Sequence, residues 1–382
     1  MSKNFDVAII GGGMSGIILA LSLKEKGVDV CILEAKDRIG KKILQTGNGK
    51  CNILNSNLDI SNYNNAFPKY ALGKYNIKAL KEFYLSLGLL LKEDSEGRVY
   101  PYSESANTVL NIFLEKIEKL KVPVFLNTKI EKVYKENGIY SIYSKSEIYN
   151  SKIVVLATGS NATSGINSHS LYGNLGHKIT KLEQSLVPIK TNALKGCNGV
   201  RSKAKASLYI EDKCVFEENG ELLFKDNYLS GILAFKMSAY IARALVQKDN
   251  IDAYIEIDFV PEYTEEELKT ILKDSPLDNP LNGILHKAVA LNFKDSKNLA
   301  FDLKHYRCKV EGLYPIDNAQ VVSGGLDISQ FEDKTMESKI NQNLYALGEV
   351  LDVDGQCGGY NLSFACASAL VVKDSILNKL CK

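Results

Sequence analysis

Short unbroken apolar runs alternate along this chain with longer amphipathic stretches, a pattern that predicts strands buried on both faces with helices packed over them. The first run, Val7 to Ile10, has the length and β-branched content of a buried parallel strand and leads directly into Gly11, Gly13 and Gly16. Met14, Ile17, Ile18, Leu21 and Leu23 then continue an apolar helical face as far as Gly27, a residue suited to the left-handed position that ends a helix. Val28 to Leu33 predicts a second strand, which stops at Glu34. Tyr75 to Leu91 and Ala106 to Leu120 predict amphipathic helices; in the second, Val109, Leu110, Phe113, Leu114, Ile117 and Leu120 recur at helical spacing. From Val122 to Ile153 the period shortens. VPVFLN, KIEKVYKE, GIYSIYS and EIYNSKIV read as strands with a turn at Asn137 and Gly138, a β-meander serving as the crossover between two parallel strands. It delivers the chain to a buried strand that ends in Ala157, Thr158, Gly159 and Ser160.

The middle of the chain has a different texture. Strand-like pieces (ASLYIEDKCVFEENGELLF, DAYIEIDFV) mix with a helical piece, TEEELKTILKD, in which Thr264 and Glu267 make a capping-box pattern. After Asn343 the α/β character returns. Leu344 to Leu347 predicts a short strand, followed by Gly348, Glu349 and Asp352, then by Gly355, Gly358 and Gly359 ahead of an apolar helix starting near Asn361. The expected architecture is therefore α/β: a Rossmann-type nucleotide-binding domain in two pieces, residues 1–189 and 330–382, interrupted by an inserted mixed α+β, strand-rich domain over 190–329.

Strand, G-x-G-x-x-G, helix, strand and acid in register are the parts of a dinucleotide site. Gly11 permits the tight turn, Gly13 lets a pyrophosphate approach the backbone, and Gly16 lets the helix pack close to the strand. Glu34 lies 18 residues beyond Gly16 (34 minus 16), where a carboxylate accepts hydrogen bonds from the adenosine ribose and repels a 2′-phosphate. NADP is thereby excluded as the tightly held nucleotide. The loop AKDRIGKKILQTGNGKCNILN brings Lys41, Lys42 and Lys50 beside the expected phosphates, although any one of these lysines also suits a solvated basic loop. Tyr100 and Tyr102, in GRVYPYSES, suit a pocket wall or ordinary packing. The glycine-led helix after Gly359 is suited to placing its positive end near a ring that becomes anionic. No second glycine-rich phosphate loop occurs in the middle region, unlike a disulfide-reductase plan with its own site for NAD(P)H.

Composition narrows the class without naming it. The 382 residues are 45% hydrophobic and 24% charged, as in an ordinary globular protein of two or three domains. A net charge of +2 gives no hint of a nucleic-acid or acidic-membrane partner. The eight cysteines form no C-x-x-C pair, so no zinc cluster or dithiol centre is expected, no metal site is expected, and reduced cytoplasmic thiols fit. No leader peptide and no apolar run of about 20 residues is present, so a cytoplasmic protein without a membrane span is expected. The sequence leaves the oligomeric state open.

The motifs GGGMSG, GKKILQTGNGKCN, GRVYPYSES, ATGS, GELLF followed by LSG, AQVVSGGLD, TMESK and GEVLDVDGQCGGYNLSFACASA occur in one order over nearly the whole chain. In these the chain resembles the bacterial BaiN-like flavoproteins, also described as the aminoacetone-oxidase-like family of FAD-binding oxidoreductases. The resemblance implies an FAD domain of the glutathione-reductase type with an inserted substrate or lid domain. Carried over, it implies Gly11, Gly13, Met14, Ser15 and Gly16 at the pyrophosphate and Glu34 and Ala35 at the adenosine ribose. It implies Lys42, Gly47 and Asn48 near phosphates and flavin, Ile130 near adenine, and Ala157, Thr158 and Gly159 along the adenosine. Gly348, Glu349 and Asp352 fall to the ribityl and phosphate, and Gly359, Tyr360 and Asn361 to the ring, whose reduced form carries negative charge that backbone N–H groups stabilise. The chain departs from the family in having Ser160 after ATG and Ile232 after LSG. The implied activity is flavin redox chemistry on a small-molecule substrate: reduction of a carbon–carbon double bond with NADH or NADPH as a transient donor, or oxidation of a small amine by oxygen. A flavin-binding redox sensor or RNA-modification partner is the alternative of another class. Tyr360, Asn361 and Cys51 are the weak candidates for catalytic groups, with Tyr100 and Tyr102 behind them.

Overall fold

Two apolar segments far apart in sequence flank the same buried strand, and this sets the architecture. The computed structural model of the protein describes residues 2–160, 169–315 and 319–381. They form two compact units, one of residues 1–182 with 320–382 and the other of residues 183–319.

In the first unit the opening strand, Lys3–Ile10, lies between Val30–Leu33 and Ile148–Leu156, parallel to both. Val124–Phe125 extends this parallel set beyond Val30–Leu33. The strand Ile148–Leu156 divides its other edge. Its first half pairs antiparallel with Ile139–Ser144, itself paired with Ile130–Glu136, and its last three residues pair in parallel with Leu344–Ala346. The meander thus occurs as the periodicity predicts, and it peels away where the C-terminal strand takes its place. The carboxyl ends of the strands are level: Ile10 is opposite both Leu33 and Leu156, and Leu156 is opposite Ala346. The loops that begin at Gly11, Glu34, Ala157 and Leu347 therefore all leave one edge of the sheet, where open α/β folds bind ligands.

The first helix, Met14–Lys24, departs from expectation in being buried on every side from Met14 to Leu23. It packs on the sheet and against the 21-residue C-terminal helix, Tyr360–Leu380, in one continuous core. Side chains such as Ile17, Ile18 and Leu19 are wholly buried, each stabilising the fold by about 1.5–3 kcal/mol relative to exposure. Gly27 takes a φ of 79°, and the N–H groups of Gly27 and Val28 bond back to Lys24 and Leu23, so the turn ends as the sequence predicts. The helix predicted over 75–91 is shorter, Ile77–Ser86: Asn76 caps its start through the Ala79 N–H, and Gly88, at a φ of 91°, turns the chain out of it. Ala106–Leu120 forms as expected.

The second unit carries a closed barrel of six strands: Ile189–Thr191, Tyr228–Ser230, Lys213–Lys225, Arg201–Ile210, Ala253–Asp258 and Tyr306–Leu313, in that order around the ring. It has its own core, with Ile255, Ile257, Leu208 and Phe224 fully buried, and the 16-residue helix Ile232–Gln247 packs into it. The strand-rich texture foretold this unit, but neither closure nor that helix, which buries Leu233, Ala234, Met237 and Ile241 while Ile232 stays exposed, was legible. The capping box at Thr264 and Glu267 forms, with both reciprocal bonds.

Candidate functional site

The glycines of the first loop have separate reasons. Gly11 has a φ of 114°, and a Cβ there would stand 2.3 Å from the Ala157 carbonyl oxygen. A Cβ on Gly16 would stand 2.2 Å from the Gly11 carbonyl oxygen. Both are therefore demanded by the fold itself. Gly13 differs: its φ is −80°, and a Cβ would meet no protein atom within 4 Å. Gly12, which sequence reasoning passed over although it sits in a run of three glycines, is hemmed by Ile39 and donates its N–H to Glu34 Oε2 at 2.7 Å. The other carboxylate oxygen accepts the Lys36 N–H at 2.8 Å. Each oxygen retains lone-pair capacity for a ribose hydroxyl. Backbone bonds from Asn127 and Thr128 to Lys36 and Glu34 hold the start of Ile130–Glu136 beside Glu34 and Ala35, and Ile130 is buried there.

Ser15, on the first helix, faces the C-terminal strand's exit: a Cβ on Gly348 would lie 2.9 Å from its Oγ, and Met14 is buried beside it. Glu349 then gathers three partners. Lys42 Nζ lies 2.5 Å from its Oε2, while Ser160 Oγ donates to Oε1 at 2.8 Å and the Val322 N–H reaches the same oxygen at 3.3 Å. Ala157 is buried, Thr158 bonds through its hydroxyl to Tyr172, and Gly159, at a φ of 66°, faces no protein atom within 4 Å. Gly47 and Asn48 lie in the 3₁₀ turn Ile43–Gly49; the Asn48 side chain is outside what the structure describes. Asp352 accepts from Asn64 Nδ2 at 2.9 Å and Thr180 Oγ1 at 3.0 Å, and burial holds its carboxyl above the usual range despite those donors.

Of the candidate catalytic residues, Tyr360 and Asn361 are bonded into the backbone around Gly355 to Tyr360. Asn361 Oδ1 accepts the Gly355 N–H and its Nδ2 donates to the Gly355 carbonyl, both at 2.9 Å. Tyr360 is buried, its carbonyl accepts the Tyr63 hydroxyl at 2.8 Å, and the two rings meet edge to face. Cys51 is fully buried, and burial pushes its thiol up to about 11, so it is neutral at ordinary pH. Tyr100 is partly buried, while Tyr102 is 63% exposed. Sequence reasoning missed the asparagines that hold this region: Asn55 Nδ2 donates to the Gly358 carbonyl at 2.8 Å, and Asn64 and Asn65 grip Asp352. Their one signal is the density of asparagine between Asn52 and Asn65.

These residues fit a flavin dinucleotide. Gly13 and Gly159 leave open space where a Cβ would otherwise project. The first and last long helices both begin on glycines, Gly13 and Gly359, that offer no side-chain cap to the first N–H groups. Asn52 Oδ1 and both polar atoms of the Gln356 side chain are buried with no hydrogen-bond partner among the described residues, polar capacity that a bound ring edge is chemically suited to use. Glu34, Lys42 and Glu349 supply acceptors and a cation along the way.

Comparison with known proteins agrees. A model of the HI0933-like protein Rossmann domain matches residues 5–374. A 3-dehydro-bile acid delta(4,6)-reductase from Clostridium scindens is 31% identical over 397 residues, covering 95% of this chain and 96% of that protein. A ribosomal RNA dihydrouridine synthase from Haemophilus influenzae is 26% identical over 407 residues, covering 98% and 99%. The crystal structure of a 3-ketosteroid-delta4-(5alpha)-dehydrogenase from Rhodococcus jostii RHA1, in complex with 4-androstene-3,17-dione, matches with a TM-score of 0.50 at 13% identity over 98% of this chain and 97% of that one. At that identity the likeness is one of fold.

Proposed function

Because the chain belongs to the HI0933-like protein Rossmann-domain family and is an FAD-dependent oxidoreductase, we propose that it reduces a carbon–carbon double bond conjugated to a carbonyl, drawing on NADH or NADPH. The observation that carries this reading is the full-length likeness to a delta(4,6)-reductase, joined to the glycine turn that leaves the carboxyl edge of the parallel sheet. FAD, when bound, supplies the hydride chemistry; the chain supplies grip, orientation and electrostatics. Glu34 holds the adenosine ribose, the Gly11 to Gly16 turn and Ser15 the pyrophosphate, and Lys42, Glu349 and Asp352 the span toward the ring. Gly359 to Asn361 would hold the pyrimidine end of the ring. The nicotinamide donor binds transiently, since a single dinucleotide loop is legible in the sequence.

The substrate class is a small hydrophobic enone. A second reading, a uracil base in RNA, draws on the dihydrouridine synthase relative, whose named product is likewise a saturated double bond. Charge favours the small molecule. Net charge is only +2, and in the second unit Lys205, Lys304 and Arg307 are each paired with a carboxylate. The reading also places the protein in the reducing cytoplasm, consistent with its eight free cysteines. The test is anaerobic stopped-flow. NADH or NADPH is expected to bleach the bound flavin, and a 3-keto-4,6-diene steroid acid to restore it. Bleaching by aminoacetone alone, with recovery in oxygen, would replace this reading with an amine oxidase, and recovery only with an rRNA fragment would replace the substrate class.

A further inference from the structure

Between Asp354 and the C-terminal helix the chain is held from several directions at once. A Cβ on Gly355 would lie 2.6 Å from Tyr360 Cβ, so the turn is as tight as backbone permits. The Asn361 amide closes on both polar atoms of Gly355, donor to acceptor and acceptor to donor, as a neighbouring strand would. The Gln356 N–H bonds to the Asn62 carbonyl, Asn55 holds the Gly358 carbonyl, and the Tyr63 hydroxyl holds that of Tyr360. Gly358 and Gly359 sit at φ values of 128° and 96°, conformations that L side chains rarely adopt, and a Cβ on Gly359 would strike the Leu54 carbonyl. The side chains of Asn361, Asn55 and Tyr63 together fix the direction of this backbone. What it directs is the start of Tyr360–Leu380, a helix whose N-cap, Gly359, has no side chain to cap it.

We propose that Asn361 is a positioning residue for the flavin: by clamping Gly355 it aims the N–H groups at the helix start, and so sets how strongly the chain favours the reduced, negatively charged ring over the oxidised one. The proposal rests on the flavin reading above and adds a residue role to it. Asn361 does not serve as a proton donor, because a carboxamide is too weak an acid to give up a proton near neutral pH; what it supplies is the paired contact to Gly355. An aligned helix terminus stabilises charge only while its donors point at it, so loosening the clamp costs affinity for the reduced form more than for the oxidised form.

The experiment compares flavin-loaded wild type with Asn361→Ala, Asn361→Asp and, as a control at the far end of the same helix, Ser375→Ala, which loses only a 3.3 Å contact to the Tyr345 hydroxyl. Midpoint potential, FAD dissociation constant and thermal midpoint are measured separately. Asn361→Ala is expected to weaken binding of reduced relative to oxidised flavin about tenfold, a fall of about 30 mV for a two-electron couple. Asn361→Asp, which loses the donor and adds a negative charge, is expected to fall at least as far, and Ser375→Ala to keep the wild-type potential. If Asn361→Ala does not fold, Asn55→Ala, which releases the Gly358 carbonyl, carries the same expectation. A potential unmoved in flavin-loaded Asn361→Ala, with only its thermal midpoint lowered, reduces Asn361 to a staple and overturns the proposal. Wild-type protein that takes up no flavin sinks the functional reading itself.

Discussion

At the scale of single residues, the glycines separate what the fold needs from what the ligand needs. Gly16→Ala drives a Cβ into the Gly11 carbonyl and is expected to destabilise the protein by about 1–3 kcal/mol, read as a lowered denaturation midpoint. Gly13→Ala meets no protein atom, so its thermal midpoint should stay close to wild type while FAD binds roughly tenfold more weakly, about 1.4 kcal/mol by titration of flavin fluorescence. A G-x-G-x-x-G pattern alone assigns roles by analogy, and for Gly11 and Gly16 the Cβ geometry gives the fold's reason by contact. Thiol chemistry gives a second expectation. Cys31, Cys51, Cys197, Cys308 and Cys366 are buried, with desolvation raising each thiol above its ordinary value, whereas Cys214 and Cys381 are exposed. Iodoacetamide at pH 8 followed by mass spectrometry should modify the exposed pair quickly and leave the buried five intact. Cys357, of intermediate exposure in the loop before Gly358, should be modified more slowly once FAD is added.

Among the elements, the parallel strands and the loops at their carboxyl ends were legible because a doubly buried strand must be a continuous apolar run, and because glycines and Glu34 stand at fixed distances from it. The clamp around Gly355 was not legible. Asn361 read as a chemical group because the sequence shows its type and not its partner, and its partner is backbone. The same blindness covers His177. Its ring is stacked on Phe331 and bonded to Gln330 and Ser338, and burial lowers its pKa below the ordinary value. The folded state then binds fewer protons than the unfolded chain as pH falls through about 6.5, so this site's contribution to stability is present above that pH and is lost as acid forces the ring to charge. Denaturation midpoints measured from pH 7.5 down to 5.5 should fall, and His177→Gln should flatten that slope even if it lowers the starting value. A midpoint equally steep in both proteins would remove His177 from the account.

For the molecule as a whole, the two units have separate cores, and the first is interrupted where its own chain runs side by side: Thr180 and Gly325 exchange hydrogen bonds at 2.9 Å. Replacing residues 183–319 by a short glycine-serine linker is therefore expected to leave a folded, yellow protein that binds FAD and no longer turns over the proposed enone with the proposed NADH donor, checked by absorbance and by NADH oxidation. Loss of flavin in that shortened protein would mean that the barrel is needed to build the nucleotide site. The sequence foretold an insertion by its change of texture, yet barrel closure depends on pairings between strands as far apart as Ile189 and Leu313, which no local pattern encodes.

The shared edge of Ile148–Leu156 has a consequence during synthesis. The ribosome releases the first glycine turn early, but the strand and helix that complete this sheet and its core emerge only after the whole barrel has been made. A message cut short anywhere upstream of Leu344 yields a polypeptide with half a grip and an unpaired hydrophobic edge. Flavin colour is therefore expected to develop only after the helix Tyr360–Leu380 has been made, which absorbance of ribosome-stalled chains of increasing length would check.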